Sequence, residues 1–420
     1  MSVTSGPDPV VSNLVFNFDM SNTQKSWIGP PTTNLIASTP LTLSTYAYAS
    51  GPISIANVPD ANKNLRTVRR YTVTNNINTA RAAVYPSGLT TNTNYSFSCK
   101  IKYNGTNTVT PVFEANASKG NPEGGANNNT ISSTSGGVTD IGNGWYYLTY
   151  TWQYSACPTG ACMLTYGVVT GSDAAYLNNT FDIYDEQFEV SAFATPFVSQ
   201  SNGVRSNTQS ILDITRNNTI PANSLTYSST GTFSFNGTTD FMRPNISHSY
   251  LNSSCLEVVF NSTSHGSGFK TIFGYAHNPG YSSPTIGSIF LNGTILSASV
   301  ITTTQVYRTV TSPTLIDTNT TYHVCLNKDT VNGILELYVN GMLMGTQTFD
   351  AATYAQWNTV GNFIGQNVLD IGKSSNMSAG QGWATDYFSG SIYLAKVYSR
   401  TLTANEIMQN FKSIRYRYGI

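Results

Sequence analysis

Apolar and polar residues alternate with a period of two along almost the whole chain, the mark of half-buried β-strands. Clear instances are NYSFSCKIKYNG, GWYYLTYTWQYS, CLEVVFNS, GSIFLNGTILSASV, YHVCLNK and GILELYVNGMLMGTQTF. The runs are punctuated by Asn, Gly, Ser, Thr and Pro, and the VNG of the last run is a hairpin signal. NLVFNFDMSN, near the start, reads as a buried strand with Leu14, Phe16 and Phe18 on one face. One stretch changes period. In TANEIMQNFKSIRYR the apolar positions Ile407, Phe411 and Ile414 fall at i, i+4 and i+7, behind Thr403 or Asn405 as N-cap, so a short C-terminal helix is expected. There are no heptads and hence no coiled-coil shaft.

Composition sharpens this picture. In a chain of 420 residues, long enough for two or three domains, 40% are hydrophobic and only 10% charged, against about 25% charged in an average domain. The polar surface is therefore built from Ser, Thr, Asn and Gly, which favour turns and strand surfaces over helices. Lys+Arg and Asp+Glu balance at 21 each, which gives no electrostatic case for nucleic acid or an anionic membrane as partner. No apolar run approaches membrane-spanning length. MSVTSGPDPVVSN lacks the basic start and apolar core of a secretory signal, so none is expected. Cys99, Cys255 and Cys325 lie in apolar runs and read as buried thiols; Cys157 and Cys162, in ACPTGAC, are spaced to close a small loop, with the reduced pair the favoured reading. A surface of extracellular style without an export signal fits a virion component, assembled in a host cytoplasm and working outside the cell.

Two resemblances give the strands an order. GTFSFNGTTDFMRP, ILELYVNGMLMGTQ, VLDIGKS and YFSGSIYLAKVYSRTLTANEIMQNF together resemble the LamG-like, concanavalin A-like jelly rolls found in tailed-phage structural proteins. In that family an opening strand runs directly into a polar stretch. Here the matching pieces, LVFNFDMSNTQKSW at 14–27 and ILDITRNNTI at 211–220, are far apart. The resemblance therefore implies a discontinuous LamG-like sandwich over 13–29 plus 206–420, interrupted by an insertion at 30–205; residues 1–12, Pro-containing and polar, read as a flexible arm before it. Its first strand is expected to pair with the closing strand SIYLAKVYS; two sandwiches in tandem is the alternative. The insertion resembles carbohydrate-binding-module-like jelly rolls through TTNLI, IGNGWYYLTYTW and EQFEVSAFATPFV, with Gln187, Glu189, Thr195 and Pro196 matching the family's last strand. It lacks the Arg usual after the Trp–Tyr pair, having Tyr147 and Leu148 there. The expected fold class is all-β: two antiparallel β-sandwich (jelly-roll) domains and one short C-terminal helix.

Concanavalin A-like folds include glucanases, so hydrolysis is the first chemistry to test. In DIYDEQFE, a solvated face of an edge strand on the plainest reading, Asp185 and Glu189 share a face but stand about 13 Å apart at ~3.3 Å per residue. Retaining and inverting glycosidases need roughly 5 Å and 6.5–9.5 Å. No G-x-S-x-G elbow is present, and His248, His265, His277 and His323 have no metal-ligand spacing. His323, within a strand pattern, is expected to be packed. DIGKSS imitates a P-loop tail but has Asn367 where the glycine is needed. No enzyme is expected. Jelly rolls of both kinds often hold calcium, and Asp19, Asp213, Asp240 and Asp370 fall near strand ends, without an EF-hand-like cluster. The chain has 26 Tyr and 5 Trp, the side chains that cover sugar C–H faces. Trp145 and Trp152 are assigned to the core. Tyr275, His277, Tyr281 and Trp383, in the turn-rich loops GYAHNPGYSS and QGWATDY, are the glycan-binding candidates. The role expected is a non-enzymatic structural protein on a phage virion surface, as capsid decoration or a short tail appendage. Its partners would be other virion proteins, further copies in a homo-oligomer, and host surface polysaccharide, with a tail adhesin or a depolymerase as alternatives. The arm and the C-terminal IRYRYGI are the candidate particle contacts.

Overall fold

The computed structural model describes residues 7–23, 25–36, 53–59, 67–73, 79–84, 89–105, 112–119, 129–131, 135–154, 162–169, 179–198, 203–227, 233–246, 253–266, 268–275, 287–301, 307–351, 369–373 and 387–420. The fold is all-β and antiparallel. The chain divides into two compact units, one formed by Met1–Gly29 with Asn207–Ile420 and the other by Pro30–Ser206.

The larger unit is a sandwich of an eight-stranded and a seven-stranded sheet. The opening strand Leu14–Asp19 pairs with the closing strand Ser389–Tyr398, Phe18 standing opposite Ala395, which is the pairing expected from the sequence. A register shift between Leu14 and Phe16 corrects one detail. Phe16 and Phe18 enter the core between the sheets, whereas Leu14 packs with Cys255, Tyr398 and Ile407 in a separate cluster. One extra residue at a bulge reverses which face a side chain joins. The hairpin Ile334–Val339 to Met342–Thr348 turns at Asn340 and Gly341, with φ of 50° and 79°. Both turn positions need positive φ for the twist of the strands to match, which is why Asn-Gly occupies them.

The helix Ala404–Tyr418 covers the outer side of the eight-stranded sheet. Thr403 caps it in a capping box with Glu406, and Gly419 closes it in the left-handed region. Ile407 and Ile414 are buried as expected, and each contributes about 1.5–3 kcal/mol on full burial. The third buried position is Asn410 rather than Phe411, which stays half-buried. Within the segment read as an arm, the Asp8 carbonyl accepts from Gln409 and the Val10 amide donates to Asn410. At the other end, Arg417 and Tyr418 bind Asp19 within the unit.

The smaller unit has a six-stranded sheet in the order Ile53–Pro59, Thr67–Val73, Thr180–Val190, Thr93–Tyr103, Trp145–Tyr154, Ser135–Gly142. Its second sheet has four strands. The stacked pairs Tyr71–Phe181 and Tyr95–Phe188 anchor its core. Trp145, expected in that core, is half-buried and meets Tyr184 edge-on. The side chain of Trp152 lies outside the described residues. Thr32–Thr33 pairs with Val204–Arg205, so the chain enters and leaves this unit side by side.

Candidate functional site

The acids of DIYDEQFE do not form a catalytic pair. Their strand, Thr180–Val190, is interior rather than an edge, lying between Thr67–Val73 and Thr93–Tyr103. A bulge at Asp185, with φ of 53°, breaks the alternation. Asp182 pairs with Arg70 at 2.7 Å, Asp185 with Lys100 at 2.8 Å and Glu186 with Arg69 at 2.6 Å. The expected solvated face is thus corrected. Asp182 and Glu186 are buried, because TVRRYTV on the neighbouring strand supplies their counter-charges. Glu189 is fully buried and accepts from Thr32, the Thr195 amide and hydroxyl, and Gln187. Arg205 donates to the Pro196 carbonyl, the Thr195 hydroxyl and the Pro30 carbonyl. The matched residues Gln187, Glu189, Thr195 and Pro196 therefore form a lock around the unit's two chain ends.

A second polar centre lies beneath the C-terminal helix. Glu257 Oε1 faces His323 Nε2 at 3.2 Å and Lys396 Nζ at 3.0 Å, while Oε2 accepts from Asn410 at 2.7 Å. Burial pushes the Glu257 carboxyl up, but Lys396 and His323 outweigh it and hold it at about 2. Cys325 Sγ lies 3.6 Å from His323 Nε2, which gives a Glu–His–Cys donor set. The set fits a metal poorly: the Lys396 ammonium already neutralises the carboxylate, and burial pushes the Cys325 thiol up, away from the thiolate a metal binds. His323 is packed, as expected. The carboxylates considered for calcium have protein partners as well. Asp19 accepts from Ser21 and Tyr418, Asp213 from Asn17, Thr215 and Asn218, Asp240 from Asn236 and Thr239, and Asp370 from Arg243.

The outer face of the seven-stranded sheet is different in kind. Met242, Ile289, Leu291, Leu296, Ala298, Val310 and Ile371 point into the core. By the period of two, Phe241, Arg243, Asp370, Ser288, Ser297, Ser299, Thr309 and Thr311 point the other way. The middle of that face is a floor of hydroxyls. Ser297 and Thr311 stand 3.1 Å apart and Ser288 and Ser299 3.4 Å, with Thr309 and Thr311 exposed, Ser288 half-buried, and Ser297 and Ser299 buried. At one margin the Arg243 guanidinium makes a two-point ion pair with the buried Asp370, at 2.8 and 3.1 Å, and lies 5.1 Å from the Phe241 ring. That pair, chiefly through its hydrogen bonds, raises the Arg243 pKa. Lys373 Nζ lies 4.7 Å from the centre of the Phe241 ring and 5.0 Å from that of Tyr387.

The predicted candidates lie close to this margin along the chain. Tyr275 ends the strand Phe269–Tyr275, and its side chain lies outside the described residues, as do His277, Tyr281 and Trp383. Tyr275 pairs with Leu369 and Phe273 with Ile371. The strands are antiparallel, so the chain leaves the sheet after Tyr275 at one end and after Lys373 at the other. Phe241 and Lys373 were not anticipated, and Tyr387 entered only as the last residue of the QGWATDY loop. DIGKSS suggested only a phosphate loop, although FMR around a buried methionine already places Phe241 and Arg243 on one outward face.

Residues 236–408 match the laminin G family model described as Concanavalin A-like lectin/glucanases superfamily, which identifies a concanavalin A-like domain within the larger unit. No curated protein matches the chain. Among solved structures, the Ruminococcus gnavus IT-sialidase CBM40 bound to alpha2,3 sialyllactose is 19% identical, with 38% of this chain and 82% of that chain covered and a TM-score of 0.31. The receptor binding domain of botulinum neurotoxin C/D mosaic serotype is 11% identical, over 50% of this chain and 49% of that chain, at 0.35. A heptameric SAP-like pentraxin from Limulus polyphemus is 16% identical, over 45% and 80%, at 0.29.

Proposed function

We propose that this protein is a non-enzymatic component of a tailed-phage particle that binds glycan through the outer face of its seven-stranded sheet. The observation that carries the binding role is the combination on that face of a hydroxyl floor with the half-buried rings of Phe241 and Tyr387. Ring faces cover sugar C–H surfaces, and hydroxyls exchange hydrogen bonds with sugar hydroxyls. The binding is passive: Asp182, Asp185, Glu186, Glu189, Glu257 and Asp370 are each engaged by basic or amide partners. The virion setting rests on the phage-type resemblance of the two sandwiches and on the sparsely charged, Ser/Thr/Asn-rich composition.

The test is to image purified particles carrying a labelled copy and to incubate the purified protein with host surface polysaccharide. Label over the head, with polysaccharide retained and no reducing ends released, is the outcome expected of a decoration protein. Label confined to the tail tip makes the same glycan face a receptor-binding one. Particles without label would overturn the virion role, and released reducing ends the non-enzymatic one.

A further inference from the structure

Among the described residues the cation at the margin of the hydroxyl floor has no counter-ion. Among the described residues Lys373 makes no ion pair and no side-chain hydrogen bond; its contacts are the faces of Phe241 and Tyr387. Its neighbour Arg243 is neutralised by the buried Asp370. Counted over the described residues, the margin therefore carries one net positive charge, held between two rings. Ring faces attract a cation but leave its hydrogen-bonding protons free for an anion, and a half-buried ammonium interacts more strongly with one than a fully solvated ammonium does.

The charge is also fixed in place. Gly372, one residue before Lys373, has φ of 84°, and its amide donates to the Ile272 carbonyl at 2.8 Å. The Gly372 carbonyl accepts from Phe388 at 2.9 Å, and Lys373 bridges to Tyr387 across the base of that turn. These backbone bonds fix the base of the lysine side chain beside its rings before any ligand arrives, which reduces the ordering cost of binding.

We infer that the sugar recognised on this face is acidic, with Lys373 pairing with its anionic group while Phe241 or Tyr387 covers a ring face. The inference rests on the glycan-binding reading above and specifies the substrate class. A uronate and a sulfated sugar present the same chemistry to an ammonium, so the test distinguishes them.

The purified full chain is titrated by calorimetry with a panel of acidic bacterial surface polysaccharides, each native and after carboxyl reduction or desulfation. Native polymer is expected to bind roughly three- to tenfold tighter than its neutral twin, the range between an exposed and a partly desolvated ion pair. The treatment that abolishes the preference identifies the anion. Lys373→Gln should lose the preference while still binding the neutral polymer, and Lys412→Gln, on the exposed side of the helix, should keep it. Equal binding of native and neutral polymers, or a preference surviving in Lys373→Gln, overturns the acidic-sugar inference and leaves glycan binding standing. Binding to no polymer overturns the glycan reading itself. Unchanged circular dichroism in Lys373→Gln separates lost recognition from lost fold.

Discussion

The backbone amide of Val10 donates to Asn410 Oδ1 at 2.8 Å, across 400 residues of chain. Asn410 Nδ2 donates to Glu257 Oε2 at 2.7 Å and to the Tyr398 hydroxyl at 3.0 Å, and Tyr398 in turn donates to the Val10 carbonyl. One buried side chain therefore joins the start of the chain, the sheet and the helix. Asn410→Ala leaves the Val10 amide and half of a buried carboxylate without donor or acceptor, which costs about 2–4 kcal/mol. Hydrogen exchange should quicken in Ala404–Tyr418 and Leu14–Asp19 and stay unchanged in Thr180–Val190 of the other unit. Equal acceleration in both units would mean that Asn410 acts through something other than this network.

Acid should destabilise the larger unit through Glu257. Its carboxyl is held at about 2 against an ordinary value of 4.5. A depressed carboxylate contributes its full stabilisation above the ordinary value and loses it as pH falls towards the folded one. The loss is about 3 kcal/mol at 1.36 kcal/mol per unit. Denaturant midpoints should therefore fall between pH ~4.5 and ~2, and Glu257→Gln should flatten that fall. Lys396→Met, which strands the carboxylate, should cost about 3–5 kcal/mol at neutral pH. A Glu257→Gln variant with the wild-type acid slope would assign the sensitivity to other groups.

In the smaller unit the corresponding residue is Glu189. Gln in its place turns one accepting oxygen into a donor that faces the donors Thr32, Thr195 and Gln187. Each unmet buried group costs about 1–3 kcal/mol. Glu189→Gln should loosen the paired ends Thr32–Thr33 and Val204–Arg205 first. Proteolysis within 30–36 and 203–206 should accelerate while the helix Ala404–Tyr418 keeps its exchange protection. Digestion that begins elsewhere in the unit would show the ends to be held by the sheet alone.

How far these features were legible from sequence follows from their range. The strands, the Asn-Gly hairpin and the capped helix are local patterns. The return of Leu14–Asp19 to Ser389–Tyr398 was legible because a family-type opening strand lacked its usual continuation. What stayed hidden depends on which strands become neighbours. Asp182 and Glu186 looked like a solvated edge until Arg69 and Arg70 came beside them. Asn410 lies outside the apolar stripe Ile407, Phe411 and Ile414, and only Glu257 beneath it gives it a role. The candidate site divides in the same way. Aromatic loops stand out in a sequence, whereas Lys373 gains meaning only when Phe241 and Tyr387, from separate segments, flank it.

The turn that holds Lys373 gives the most demanding test of the site. A Cβ on Gly372 would lie 2.3 Å from Phe235 Cδ1, and Phe235 is a buried core ring that cannot swing aside. Its φ of 84° also lies where an alanine is strained by about 1 kcal/mol or more. Gly372→Ala should therefore lower the stability of the larger unit and displace Lys373 from its rings in the molecules that remain folded. Measured well below the melting transition, the variant should lose the acidic-polymer preference about as fully as Lys373→Gln does. Were the preference retained in a destabilised Gly372→Ala protein, the fixed position of the ammonium would not matter, and its charge alone would account for recognition.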